Sequence, residues 1–189
     1  MIVLAELFEP PLSPTHMATV LRKIDHKQLW NKKPEGDIAS WLQEGELPAD
    51  ALQDIQTDNN RLSVFLLEDG APTTLERVIG ALAAKRNHLA KFDYVLFGPA
   101  LLAELGIELE ATLGDTLDGA VNACHRDLVK LTATKLADFG TSLIRKGNVE
   151  RKSVGQAGKC INDSIQAKFI DVAKVPTQIV QQMLERGIQ

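Results

Sequence analysis

Leu62-Ser63-Val64-Phe65-Leu66-Leu67 is apolar at both parities apart from Ser63, and Tyr94-Val95-Leu96-Phe97 likewise shows no in–out alternation. A strand with one wet face alternates apolar and polar side chains. A strand without alternation is expected to be covered on both faces, as in a parallel sheet between helices. With the apolar run Ile2-Val3-Leu4-Ala5, these segments predict three strands, over 2–8, 62–68 and 92–97. Between the last two, Leu75, Val78, Ile79 and Leu82 fall at i, i+3, i+4 and i+7, one helical stripe within 74–86. Strand, helix, strand is the βαβ unit. The expected fold class is therefore α/β: a small three-stranded parallel sheet with flanking helices.

Working outward, Ser13-Pro14 is a helix-start signal, and Met17, Val20, Leu21 and Ile24 follow it on one helical face. Ile38-Trp41-Leu42 and Leu52/Ile55 predict shorter helical pieces, and the loop from Asn31 to Gly36 separates Trp30 from Trp41. Burial is the default for a tryptophan; one left exposed there would mark a partner site. Past the third strand, Pro99 opens a short helix that Gly106 ends. Leu113, Leu117, Val121, Cys124, Leu128, Leu131, Leu136, Phe139 and Leu143 then recur every three to five residues. That spacing predicts one amphipathic helix of about 30 residues, with Asp115 and Asp118 in an acidic first turn. Two shorter helices follow, one through Ile161, Ile165 and Phe169 and one over 176–186. The C-terminal region is thus expected to be mainly helical and built on one long helix. Residues 1–110 form an acidic α/β layer and 111–189 a basic helical region, packed together as one globular unit.

With 44% apolar residues in 189, the chain can bury a core without staples. Cys124 and Cys160 form no metal-ligand spacing and are too few for a disulfide framework, which suits a reducing compartment. The first residues lack a cationic leader, and Glu6 and Glu9 interrupt their apolar stretch, so a strand is expected rather than a targeting segment. No apolar run approaches a membrane span. A cytoplasmic protein without membrane contact is expected.

Charge is unevenly distributed. Residues 1–120 hold ten Lys/Arg against nineteen Asp/Glu, and residues 121–189 hold eleven against six, within a net charge of −4. A basic segment of this kind can face a phosphate backbone, an acidic partner, or the acidic half of its own chain. Arg145, Lys146, Arg151, Lys152 and Lys159 are the candidate nucleic-acid or anion-binding residues.

Several motifs resemble catalytic or binding signatures. Cys124-His125-Arg126-Asp127-Leu128 and Ala137-Asp138-Phe139-Gly140 resemble, in order, two signatures of protein kinases. Thr132 stands where the metal-binding Asn belongs, no glycine-rich phosphate loop precedes, and the spacing is too short. Gly155-Gln156-Ala157-Gly158 is similar to the GXXG loop of KH domains, which implies nucleotide-backbone contact; the plainer reading is a helix that tolerates two glycines. Gly158-Lys159 fails the phosphate-loop pattern at Ser153 and Cys160. Asp25-His26-Lys27 matches the (D/E)xK core of restriction-type nucleases but comes too early for that fold. Parallel strands would bring Glu9, Glu68 and Asp69 to one edge, where clustered carboxylates can hold Mg²⁺. His16, His26, His88 and His125 show no ligand spacing. No catalytic residue, metal ligand or cofactor is assigned. The expected function is that of a non-catalytic intracellular interaction protein, an adaptor or complex subunit docking a protein partner or a second copy through its helical C-terminal region. The alternatives are a nucleic-acid binder using 145–159 and a metal-dependent phosphoester enzyme at the strand carboxyl ends.

Overall fold

The computed structural model describes residues 17–188. The strand expected over 2–8, the Ser13-Pro14 helix start, His16 and Glu9 lie outside them. Six strands, β1 (Thr19–Ile24), β2 (Leu62–Leu67), β3 (Phe92–Phe97), β4 (Glu108–Ala111), β5 (His125–Val129) and β6 (Asn148–Lys152), form one sheet in the order β4-β5-β2-β1-β3-β6. Every neighbouring pair is antiparallel. Helices α1 (Pro72–Ala83), α2 (Ala100–Glu104), α3 (Gly119–Ala123), α4 (Ala133–Lys146), α5 (Val154–Gln166) and α6 (Thr177–Glu185) cover it, with 3-10 segments at Lys27–Trp30, Gly36–Ser40, Ala49–Ile55 and Val172–Lys174.

The three-stranded parallel sheet is therefore corrected to a six-stranded antiparallel one. Burial of both faces was read rightly. Leu21, Phe65, Leu67, Phe92 and Tyr94 pack with Val78 and Ile79 of α1, Ile161 of α5 and Ile179 of α6. Val20, Ile24, Leu62, Val64, Val95 and Phe97 pack on the other side with Phe139, Leu143 and Ile144 of α4 and with Ile55. Two helical layers, not parallel strands, cause that pattern. The strands that flank α1 in the chain, β2 and β3, do run parallel to each other, but β1 lies antiparallel between them. On the opposite face α4 carries the chain from β5 to β6, across three strands.

The 17–24 stripe is strand β1, the centre of the sheet, not a helix. Val20 and Leu21 enter opposite cores and Met17 is 83% exposed. The single long C-terminal helix is also overturned. Its region holds α3, β5 and α4 in turn, and Leu113 is 86% exposed. Asp118 caps α3 by accepting from the backbone of Ala120 and Val121, and Thr132 caps α4 by accepting from Lys135 N. Between them Lys130 takes a left-handed φ of 57°, which ends the strand. An apolar residue every three to five positions is satisfied by a loop, a strand and two helices as well as by one helix.

The shorter helices of the sequence reading are present as α5 and α6, although Phe169 lies beyond the end of α5. Ser153 and Gln156 form a reciprocal capping box at the start of α5. Helix α1 lies against α5 at Gly80, where a Cβ would stand 2.5 Å from the Cys160 carbonyl oxygen and 2.8 Å from Ser164 Oγ. Helix propensity alone predicts that Gly80→Ala stabilises by about 1 kcal/mol. Collision with a backbone carbonyl predicts the reverse sign, a loss of about 1–3 kcal/mol. Thermal unfolding is expected to show a Tm lowered by several degrees; a raised Tm would refute the close helix approach.

Candidate functional site

The five candidate cations are not brought together. Arg145 and Lys146 end α4, Arg151 and Lys152 lie on edge strand β6 with neighbouring side chains on opposite faces, and Lys159 is on α5. Lys146 pairs with Glu104, Arg151 with Asp93, Lys152 with Glu76 at 3.3 Å, and Lys159 with Asp163 at 3.8 Å. Arg145 Nε donates to the Gly45 carbonyl at 3.2 Å. Three of these carboxylates come from the acidic first 120 residues, so the chain neutralises much of this basic segment internally.

The other motifs resolve into structural roles. Gly155 and Gly158 lie in the first turns of α5, and a Cβ at Gly158 would meet Ile188 at 2.6 Å; the loop resembling a KH motif is helix. Asp138, Phe139 and Gly140 belong to α4, with Phe139 fully buried and Gly140 lying against Leu47 and Ile55. Strand β1 runs against β2 and β3, Glu9 lies outside the described residues, and no three-carboxylate edge forms among those described. Glu68 approaches Arg126 at 3.7 Å, and Asp69 accepts from Ala71 N and Thr74 Oγ1 at the start of α1. Among the described residues no group of three or more His, Cys, Asp and Glu side chains could hold a metal ion. Ser63 Oγ donates to Asp127 Oδ1 at 3.3 Å, and His125 Nε2 stands 3.9 Å from the same oxygen. A nucleophile relay needs the imidazole between hydroxyl and carboxylate, and here the carboxylate takes that place. Burial pushes the Cys124 thiol up and that of Cys160 to about 11, which leaves both poor nucleophiles.

The surface with an unexplained exposed aromatic lies elsewhere. Trp30 is 1% exposed and donates Nε1–H to Asp54 Oδ2 at 2.8 Å, as a buried indole should. Trp41 is 65% exposed. The chain around it is held by backbone contacts: Gly45 N donates to Lys32 O, Gln43 N donates to the Glu46 carboxylate, and Gly45 adopts φ +79° beneath the Arg145 stem. Leu47 packs on Gly140, where a Cβ would come within 2.6 Å of it. Pro48 then starts the 3-10 segment that buries Ala51 and Ile55. Between this strap and α4 runs a groove of about 580 Å³, lined by Leu42, Leu47 and Leu52 on one side and Ala137, Thr141 and Arg145 on the other. Residues 35–52 hold Glu35, Asp37, Glu44, Glu46 and Asp50 and no Lys or Arg. All five are exposed, and none makes an ion pair among the described residues. Lys32 and Lys33 precede the run.

Sequence reading named an exposed tryptophan here as the mark of a partner site but took burial as the default, and it weighed charge over 120 residues at a time. The local signal was available: a tryptophan inside an eighteen-residue stretch whose every charge is negative. No helix among the described residues is long and apolar enough to cross a membrane. Compared with known proteins, the chain matches no family model, no curated protein and no solved structure.

Two buried carboxylates away from this groove contribute to the acid response. Asp93 is 2% exposed, accepts both Nε and Nη2 of Arg151 at 2.6 and 2.8 Å, and accepts Lys27 N–H at 3.2 Å. Burial pushes its carboxyl up, but Arg151 and the Lys27 amide outweigh that and hold it below the ordinary range. Asp118 is held low in the same way, against burial, by Arg77 and the α3 amides. A depressed folded pKa means that the unfolded chain binds more protons in acid. The stabilisation is complete above the unfolded value of about 3.9 and is lost as pH falls through the folded value. Urea unfolding between pH 6 and pH 3 is expected to show a steeper loss in the wild type than in Asp93→Asn. Arg151→Ala at pH 7 is expected to cost about 2 kcal/mol, less than a fully buried pair because Arg151 is more than one-third exposed. Equal acid slopes would contradict the assignment.

Proposed function

We propose that the protein is a non-catalytic interaction protein whose α4 face and 36–55 strap dock a basic amphipathic segment of a protein partner. The observation that carries this reading is Trp41, 65% exposed, next in sequence to Leu42 of the groove and within a run whose five carboxylates make no ion pair among the described residues. A buried interface gains most from a few aromatic anchors seated in apolar surroundings. Trp41 is such an anchor, already presented without a lid. Leu42, Leu47 and Leu52 supply the apolar floor that the i, i+3, i+4 residues of a helix occupy. The carboxylates add little to affinity at the rim, but they select a cationic partner and speed its arrival.

The reading is tested with a synthetic Leu/Lys amphipathic helix and its Leu/Glu counterpart, both titrated into the full chain. Binding of the Leu/Lys peptide is expected to shift the emission of exposed Trp41 to the blue, while buried Trp30 is unmoved. Trp41→Ala is expected to weaken binding about thirtyfold, and Glu44→Lys with Glu46→Lys about tenfold, with the wild-type Kd rising in salt. Equal binding of the Leu/Glu peptide, or binding indifferent to Trp41→Ala, overturns the proposal. Concentration-dependent dimerisation that Trp41→Ala abolishes would assign the groove to a second copy and overturn it equally.

A further inference from the structure

The end of β1, the start of β3 and the chain following α1 line a cleft of about 500 Å³. Lys23, Lys85, Arg86 and Lys91 line it, against Asp25 and Asp93. The ion pairs show where that charge is already spent. Lys23 pairs with Asp25 at 2.9 Å, Lys85 with Asp115, and Asp93 is saturated by Arg151 and the Lys27 amide.

What remains is positive. Arg86 donates Nη1–H to the Lys91 carbonyl at 2.7 Å and stands 5.0 Å from the centroid of the Phe92 ring, which fixes the guanidinium. Its nearest carboxylate oxygen, on Asp25, is 3.9 Å away, too far for a hydrogen bond. A guanidinium has five N–H donors, so most of those on Arg86 have no protein acceptor among the described residues. Burial lowers its pKa despite Asp25 and Asp93, the mark of a cation short of compensation. Lys91 is exposed and makes no ion pair among the described residues, its charge acting on Asp93 only without a direct contact. Asn87 and His88 add further polar groups to the same wall. Asp25 uses Oδ1 for both cations, which leaves Oδ2 to accept a hydroxyl group.

We infer that this cleft binds a small hydroxylated phosphate monoester, a sugar phosphate or mononucleotide, with the phosphate on Arg86 and Lys91 and a hydroxyl on Asp25. A guanidinium fork matched with an ammonium is the usual grip on a phosphate dianion. The cleft is of the size that encloses a small ligand. Asp25, Asp93 and Asp115 interleave with the cations, which opposes a continuous nucleic-acid backbone and favours a single phosphate. The inference is independent of the docking groove.

Calorimetry on the full chain at low salt tests it with ribose 5-phosphate, adenosine monophosphate, inorganic phosphate and ribose. Ribose 5-phosphate is expected to bind and ribose not. Lys91→Gln and Arg86→Lys are expected to raise its Kd at least tenfold, while Lys146→Gln, at the other end of the strands, leaves it unchanged. Lys91 is exposed, so Lys91→Gln keeps the test valid if Arg86→Lys unfolds the chain. Tighter binding of the mononucleotide would assign the ligand body to a nucleotide; tighter binding of ribose 5-phosphate would assign it to a sugar phosphate. Inorganic phosphate binding as well as either ester would overturn the monoester assignment. No heat with any of the four at about 10 mM, where even a millimolar site is filled, would overturn the site itself.

Discussion

The central strand ends at Ile24, and two buried carboxylates hold the chain there. Asp54 accepts His26 N–H at 3.1 Å, and Asp93 accepts Lys27 N–H at 3.2 Å. Both amides are part-buried, so each carboxylate offsets a share of the roughly 1–3 kcal/mol that a buried unpaired donor would cost, as well as making a bond. Both side chains do more than cap this turn. Asp54 also accepts from the Trp30 indole and sits in the 3-10 segment that forms one wall of the groove. Asp93 also receives Arg151 and so ties edge strand β6 to β3 beside the cationic cleft. Two surfaces thus depend on one turn after β1.

Arg22 adds a third tie at the same end. Its guanidinium donates to the Asp54 carbonyl at 2.7 and 3.2 Å and to the Ser63 carbonyl at 2.8 Å, which joins β1, β2 and the strap. Burial brings its pKa down to about 10, against the pull of Asp54 and Asp25, yet it stays charged at neutral pH. These polar contacts fix the geometry between two apolar layers that would otherwise slide, because hydrophobic packing is not directional. The strap is therefore a presented surface rather than a loose loop.

Charge takes the opposite arrangement to the one its distribution in sequence suggests. The excess cations of the second half are largely met by carboxylates of the first. The acidic run over 35–52 makes no ion pair among the described residues and stays at the surface around the exposed tryptophan. Net charge in a stretch of sequence shows what must be balanced, and only the partners in space show what is left over. Arg86 and Lys91 illustrate the same point within an otherwise neutralised cleft.

Much of the local structure could be read from the residues. The strands at 62–67 and 92–97, the helix between them, and the closing helix between Pro176 and Gly187 follow from periodicity and end signals, because each is settled within a few turns of chain. Where one pattern fits two periods, it does not decide. Val20, Leu21 and Ile24 suit a helical face, but they form the strand with a partner on each side, and those partners lie more than forty residues away. His125–Val129 reads as part of a long helix until β2 and β4 offer it hydrogen bonds. Local residue pattern carried two-faced burial and most of the helices. Strand direction, strand order, the pairing of charges and the exposure of Trp41 were settled by the assembled molecule, because each depends on groups that only folding brings within bonding distance.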